Sequence, residues 1–287
     1  MKDSSKMQLI MLEPSIVIKF APVTRYRWAA TKYLKQIIQD RLDGKLDENG
    51  EKYEDLIQWL VDAAPPIERT IPQLVERIMA LNVASIHTTT MTFTAALYNL
   101  AMEPEKYIPI LRAEVLGGCA DGQITVETLA DLPKLDSFLR EAGRFNNAGL
   151  LSLQRNAIKP FTFSDGTVIP AGAKIGCPNL FLQRDPSIYD NPEQFDGFRF
   201  VRQEKGSTQP LKGSMVTTDA AYQLFGHGKH ACPGRFFAAN EMKMMLATLL
   251  LRYDMKLAPG TRPEPFFIGT ISMPDTKLKV LVKSRDL

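Results

Sequence analysis

The chain has few cysteines and no long hydrophobic run. Only Cys119, Cys177 and Cys232 occur among its 287 residues. An odd, sparse set of this kind does not form a disulfide framework and predicts a reducing compartment. No apolar stretch reaches the roughly 18–20 residues that span a bilayer. The polar start, Met1–Lys6, lacks the apolar core of a signal peptide. The sequence as it stands therefore predicts neither a membrane anchor nor a secreted disulfide protein.

The chain also has little excess of charge of either sign. The formal net charge is +3, which is too small to indicate nucleic-acid binding by itself. Hydrophobic residues make up 45% of the chain and charged residues 23%, which suits a globular protein with a sizeable core. The sequence has no internal repeat and no low-complexity segment. Its length allows one large domain or two small ones.

Helical periodicity dominates the first three-fifths of the chain. Thr70 and Gln73 flank Pro72 in a capping pattern, which predicts a long helix from there to about Ala101. About thirty residues at about 1.5 Å each make a helix on the order of 45 Å long. Apolar residues at helical spacing predict another helix at Ala30–Leu42. Shorter helices are expected near Tyr53–Asp62, Glu105–Leu116 and Lys134–Arg144.

The pattern changes after Gly149. Asp165-Gly166 and Ile169–Gly172 are typical of turns, and short strands are expected beside them. A last helix is predicted at about Pro233–Arg252, before a strand in which apolar residues alternate from Leu278 onwards. The predicted fold class is mainly α with a small β-sheet portion.

The segment Phe225–Gly234 carries the most chemical information. Cys232 stands just before the predicted helix, whose first N–H groups and positive dipole end favour a thiolate able to bind a metal. Gly228 and Gly234 leave room for a flat cofactor to approach the backbone, and Phe225 can pack against it. These residues together suggest a site for a metal-containing planar group.

Other interpretations of the same segment stay open. A lone cysteine is usually a small buried hydrophobe. His227, His230 and Cys232 would also suit three ligands of a zinc site, although no fourth ligand lies nearby. Alternatively, His230 and Arg235 would face anionic groups at the edge of a cofactor.

Phe225, Gly228, Cys232 and Gly234 fit the F-x-x-G-x-x-x-C-x-G signature of the cytochrome P-450 superfamily, and the chain resembles that family. The resemblance implies that Cys232 is the axial sulfur ligand of a haem iron (heme b). It also implies that Phe225, Gly228 and Gly234 contact this cofactor.

Further motifs of the family occur in the right order. Glu141 and Arg144 fit its E-x-x-R, and residues three apart on a helix share a face. Arg199 matches the later arginine that locks this pair in the family, a structural role. Arg155 and His230 match residues that bind the haem propionates.

The long helix resembles the family's oxygen-binding helix over Ala84–Thr89. Thr88 falls on the threonine that supports proton delivery to dioxygen, and it is the first expected catalytic residue. His87 stands where most members carry an acid. Because histidine shuttles protons near neutral pH, His87 is the second expected catalytic residue.

The resemblance implies a monooxygenase. A thiolate ligand favours O–O cleavage, so that one oxygen atom enters an apolar substrate and the other leaves as water. Electrons would come from NADPH through a flavoprotein reductase at the cytoplasmic face of the endoplasmic reticulum, docking near Lys229 and Arg235. The sequence is most similar in style to fungal natural-product enzymes, including terpenoid ones, which suggests a terpenoid-like secondary metabolite as substrate.

The resemblance covers Val23 to Leu287, a little over half of the family's usual length. We therefore expect a truncated P-450 fold, with residues 1–287 forming one haem-binding domain that lacks the N-terminal part of the family fold. One side of the long helix would then be exposed. The alternative is a truncated, catalytically inactive remnant. A zinc-binding module is a third hypothesis, which leaves Glu141, Arg144 and Arg199 unexplained.

Overall fold

A computed structural model describes residues 22–119, 123–201 and 213–285. The chain divides into two compact units, one ending at Ile86 and one beginning at His87. The division falls inside one continuous helix, α3 (Ile71–Met102). The prediction of a single haem-binding domain stays a prediction.

In the described residues of the first unit, 22–86, two helices precede α3. They are α1 (Pro22–Leu42) and α2 (Leu56–Ala63), and a 3-10 helix at Pro66–Glu68 follows them. The carboxylate of Asp55 caps α2 by accepting the backbone N–H of Gln58 at 2.8 Å. Such a cap satisfies one of the free donors at a helix start. The small core of this unit consists of Ile38, Val61, Ala64, Leu74, Val75 and Ile78.

The long helix α3 has the bounds that the sequence predicts to within one residue at its end. At its start, the Thr70 hydroxyl lies 2.8 Å from the side-chain amide of Gln73. Near its end, the hydroxyl of Tyr98 donates to the carbonyl of Asp275 at 2.6 Å and so joins α3 to the C-terminal region. None of the helices in the described residues is long and apolar enough to cross a membrane.

The second unit is built on a helical core. Its helices after α3 are α4 (Pro104–Gly118), α5 (Val126–Ala130), α6 (Pro133–Phe145), α7 (Asn179–Leu182) and α8 (Arg235–Arg252). Fully buried side chains from α3 and from four of these later helices meet in one cluster, among them Leu100, Leu111, Leu139 and Leu246. The expected helices near Glu105–Leu116 and Lys134–Arg144 correspond to α4 and α6.

The described part of this unit also contains four small antiparallel sheets of two strands each. The pairs are β1 (Ser152–Asn156) with β4 (Lys174–Cys177), β2 (Phe161–Thr162) with β3 (Val168–Ile169), β5 (Tyr253–Leu257) with β8 (Val280–Ser284), and β6 (Phe266–Ile268) with β7 (Ile271–Met273). The predicted turn at Asp165-Gly166 joins β2 to β3, and Gly166 adopts a φ of +88°. The mainly α fold class with a small β portion is confirmed.

Candidate functional site

The Cys232 loop, residues Phe225–Gly234, is closed on itself by a backbone hydrogen bond. The N–H of Cys232 donates to the carbonyl of Phe225 at 2.8 Å. Gly226 and Gly228 have φ values of +70° and +74°, a region that glycine reaches without strain. A Cβ atom added at Gly228 would meet no atom within 4 Å. The loop therefore holds Cys232 at a fixed backbone position beside open space.

The helix after this loop starts later than the sequence predicts. Helix α8 begins at Arg235, not at Pro233, and Gly234 precedes it with φ −83° and ψ 5°. Cys232 therefore lies three residues before the helix. The guanidinium of Arg235 donates to the carbonyl of Cys232 at 2.8 Å and lies over the ring of Phe236. This contact directs Arg235 at the loop backbone, where we had expected it to face an anionic group.

The surroundings of Cys232 fit a large flat cofactor. Cysteine is among the most buried residue types, yet Cys232 is exposed. Phe236 and Phe237, in the first turn of α8, are 55% and 65% exposed. An exposed thiol, exposed aromatic rings in the following helical turn and an open glycine position are compatible with ligation of a planar apolar group.

The zinc interpretation finds no geometry to support it. Within residues 22–119, 123–201 and 213–285, no group of three or more His, Cys, Asp or Glu side chains is arranged to hold a metal ion. His227 instead places its Nδ1 atom 3.1 Å from the hydroxyl oxygen of Thr218. His227, His230 and Cys232 therefore do not converge on one point.

Glu141, Arg144 and Arg199 form a buried ion cluster. The Glu141 carboxylate accepts two hydrogen bonds from Arg144, at 2.7 and 2.8 Å, and one from Arg199 at 3.1 Å. It also accepts the backbone N–H of Asp196 at 3.0 Å. Arg144 donates in addition to the carbonyl of Gln183 at 2.6 Å. The cluster thus joins α6 to the chain between α7 and residue 200.

Burial changes how much this ion cluster matters for the stability of the fold. The side chains of Glu141 and Arg144 are both 0% exposed. An isolated ion pair three residues apart on a helix surface contributes only tenths of a kcal/mol to stability. Removing one partner of a buried ion pair is strongly destabilising, because the other charge is then left buried without compensation. Edge-to-face aromatic contacts cover the same region of α6, formed by Tyr107, Phe138, Phe195 and Phe198.

Helix α3 carries the two expected catalytic side chains. Thr88 and His87 are both exposed, whereas Thr89 is buried. The hydroxyl of Thr92 donates to the carbonyl of Thr88 at 3.0 Å, a bond that competes with the helix ladder. One to two turns further on, Phe93 and Leu97 pack against the same core cluster as Leu224 and Phe225 of the loop region. The second half of α3 and the Cys232 loop therefore belong to one core.

The residues expected to bind propionates are exposed. His230 lies in a 3-10 helix, Gly228–His230, within the Cys232 loop. Arg155 lies on β1, where it donates to the carbonyl of Gln154 at 2.8 Å. On the same strand, the hydroxyl of Ser152 donates to the side-chain oxygen of Gln223, which attaches β1 to the chain just before the loop.

Sequence reasoning missed a second polar face of α6. Asp136 and Arg140 are buried, as is Lys243 of α8. The spacing of four between Asp136, Arg140 and Arg144 is a signal that these charged side chains share one region of the helix. The signal alone predicts a solvated surface, and only the covering chain segments show otherwise.

The fold and these motifs are those of a known family. The family model for cytochrome P-450 matches residues 1–282, and the chain belongs to the cytochrome P-450 family. Members of this family are haem-thiolate proteins, so the class of cofactor follows from membership.

Individual relatives are fungal. The chain is 38% identical to the cytochrome P-450 monooxygenase olcJ of Penicillium canescens, over 92% of this chain and 52% of the relative. It is 40% identical to the ent-kaurene oxidase of Gibberella intermedia, over 84% of this chain and 46% of the relative. The chain spans about half the length of the curated relatives it matches.

Solved structures agree on the fold. The retinoic acid-bound cyanobacterial CYP120A1 is 25% identical with a TM-score of 0.72, covering 91% of this chain and 57% of that structure. The cytochrome P-450 CYP102L1 has a TM-score of 0.71 at 21% identity, covering 89% and 55%, and shows likeness of fold alone.

Proposed function

We propose that the chain is the haem-carrying part of a haem-thiolate monooxygenase, in which Cys232 would be the sulfur ligand of the haem iron. The observation that carries this proposal is the Cys232 loop itself. It fixes an exposed thiol by the bond from Cys232 N–H to the Phe225 carbonyl, beside open space at Gly228. Together with family membership, this geometry favours ligation of a planar metal cofactor.

The other residues of the site would contact the haem. Phe225 would pack on the face of the cofactor, and Gly228 and Gly234 would admit its edge. The exposed side chains of Arg155 and His230 would hold the propionates by hydrogen bonds. When bound, the haem would supply the oxidative chemistry.

Proton delivery would rest on α3. The Thr88 hydroxyl would donate a hydrogen bond toward the oxygen-binding side of the cofactor. His87, one residue earlier and exposed, would exchange protons with solvent near neutral pH. The bond from the Thr92 hydroxyl to the Thr88 carbonyl would weaken the helix ladder at this point.

The substrate would be an apolar small molecule of fungal secondary metabolism. The relatives include an ent-kaurene oxidase, which supports a terpenoid-like compound. Electrons would come from NADPH through a flavoprotein reductase of the endoplasmic reticulum. Its acidic surface would meet Lys229, which is exposed beside the Cys232 loop.

An absorption spectrum tests the ligand assignment. The chain is expressed with a haem precursor, reduced and exposed to carbon monoxide, and a thiolate-ligated haem gives a strongly red-shifted Soret band. Cys232→Ala should abolish that band, whereas Cys177→Ala, the matched change at the half-exposed cysteine of β4, should keep it. A red-shifted band in Cys232→Ala would refute the assignment.

A second candidate is a chain that binds haem without turning over. Product formation with reductase and NADPH separates the two candidates. A red-shifted band without any product would select the second.

A further inference from the structure

Asp136, Arg140 and Gly143 of α6 contact the chain that leads into the Cys232 loop. This stretch, residues 213–224, is called the approach segment below. Gly143 of α6 lies so close to it that a Cβ there would stand 2.5 Å from a methyl carbon of Leu224. The hydroxyl of Tyr222 donates to the carbonyl of Arg140 at 3.1 Å.

Arg140 supports the approach segment with its side chain. Its guanidinium donates to the carbonyl of Ser214 at 2.6 Å and lies 4.2 Å from the ring centroid of Tyr222. The ring of Phe200 lies on the same guanidinium at 4.6 Å. Because the side chain of Arg140 is 1% exposed, these contacts are screened little by water.

Asp136 joins both sides of the loop. Its carboxylate accepts the backbone N–H of Met215 at 2.6 Å, ten residues before Phe225. The same carboxylate lies 2.5 Å from the ammonium of Lys243, in the middle of α8. Lys243 also donates to the carbonyl of Leu129 at 3.3 Å. One buried carboxylate therefore connects the chain before Cys232 to the helix after it.

We propose that Asp136, through Met215 and Lys243, is a positioning residue that sets where the Cys232 sulfur stands. The reasoning is geometric. Residues 216–242 run from one contact of Asp136 to the next, and Cys232 lies within that span. If the carboxylate charge is removed, Lys243 is left buried without its partner, and both ends of the span loosen. The sulfur's role as a ligand rests on the proposed function.

The test compares Asp136→Asn and Lys243→Met with the conservative Lys243→Arg in the full chain. Backbone hydrogen exchange in residues 213–232 should rise about tenfold in the first two variants. It should stay near wild type in Lys243→Arg, which keeps the charge. After haem loading, the ratio of red-shifted to normally placed carbon monoxide complex should fall by about tenfold in the same two variants.

The control is Arg112→Met, which removes a partly buried cation that binds the C-terminal end of α8. Arg112 donates to the carbonyls of Leu250 and Tyr253 at 2.7 and 2.9 Å and to Asp254 at 2.7 Å. Urea is added to the more stable proteins until all have equal unfolding free energy. At that point Arg112→Met should keep the wild-type ratio and the wild-type exchange in residues 213–232.

The outcomes separate the two proposals. If wild type shows no red-shifted band, the haem-thiolate function fails, and hydrogen exchange alone then decides the role of Asp136. If wild type shows the band but Asp136→Asn matches Arg112→Met in ratio and exchange, the positioning role is refuted. It is also refuted if Lys243→Arg behaves like Lys243→Met, since the charge would then be irrelevant.

Discussion

Replacing Glu141 by glutamine should destabilise the second unit strongly. The carboxylate accepts four hydrogen bonds at 2.7 to 3.1 Å, from Arg144, Arg199 and the backbone of Asp196. The substitution keeps shape but leaves Arg144, 0% exposed, without a counter-charge. Breaking a buried pair by changing one partner costs about 3–5 kcal/mol. At roughly 2–4 °C per kcal/mol, the melting temperature should fall by about 6–20 °C.

A matched control makes this prediction sharp. Glu103 pairs with Lys106 at 2.9 Å with the same spacing of three, but both side chains are about half exposed. Glu103→Gln should cost less than about 1 kcal/mol. Urea unfolding followed by circular dichroism measures both variants. Equal losses in the two variants would show that burial does not decide the energy of these pairs.

Three further changes test the packing around the Cys232 loop. Gly143→Ala should lower stability by about 1–2 kcal/mol because its methyl group overlaps Leu224. The control Gly117→Ala, which has nothing within 4 Å of the added methyl group, should raise stability by up to about 1 kcal/mol. Denaturant midpoints measure both changes. Burial raises the pKa of Tyr222 well above its usual range. The neutral phenol of Tyr222 therefore makes its full contribution to the free energy of unfolding below about pH 10. Above that pH the contribution falls by about 1.4 kcal/mol per pH unit. Unfolding titrations between pH 9 and 11 should show a flatter decline in Tyr222→Phe, and an unchanged decline would contradict the cause given. Leu246→Ala, at a fully buried core position, should cost about 2–5 kcal/mol in the same unfolding assay without altering the fold seen by circular dichroism.

Short sequence motifs predicted the helix starts and turns that depend mainly on residues close together in the chain. The proline and capping pair at Thr70–Gln73 gave the start of α3, and the bounds differ by one residue at its end. Asp165-Gly166 gave the turn between β2 and β3 because glycine reaches the positive φ that the turn needs. The start of α8 was wrong by two residues. There a tertiary bond, from Cys232 to Phe225, competes with the helical signal of Pro233.

The sequence did not reveal the buried polar side of α6. Asp136, Arg140 and Glu141 are charged, so helical periodicity places them on a solvated face. They are buried because residues 190–200 and the approach segment lie over them. Neither covering segment has a repeating pattern of apolar residues, and sequence periodicity therefore carries no information about where they pack.

Ligation and turnover make different demands on the Cys232 loop. Ligation needs the sulfur held in place, and the backbone bond to Phe225 and the contacts of Asp136 on either side of the loop supply that constraint. Turnover also needs a dry site, because water competes for protons and weakens every electrostatic contact. Thiolate ligation should therefore survive changes in the access of water to the Cys232 loop, whereas product formation should respond to them. A spectrum and a turnover assay on the same sample thus measure two separate properties of the loop.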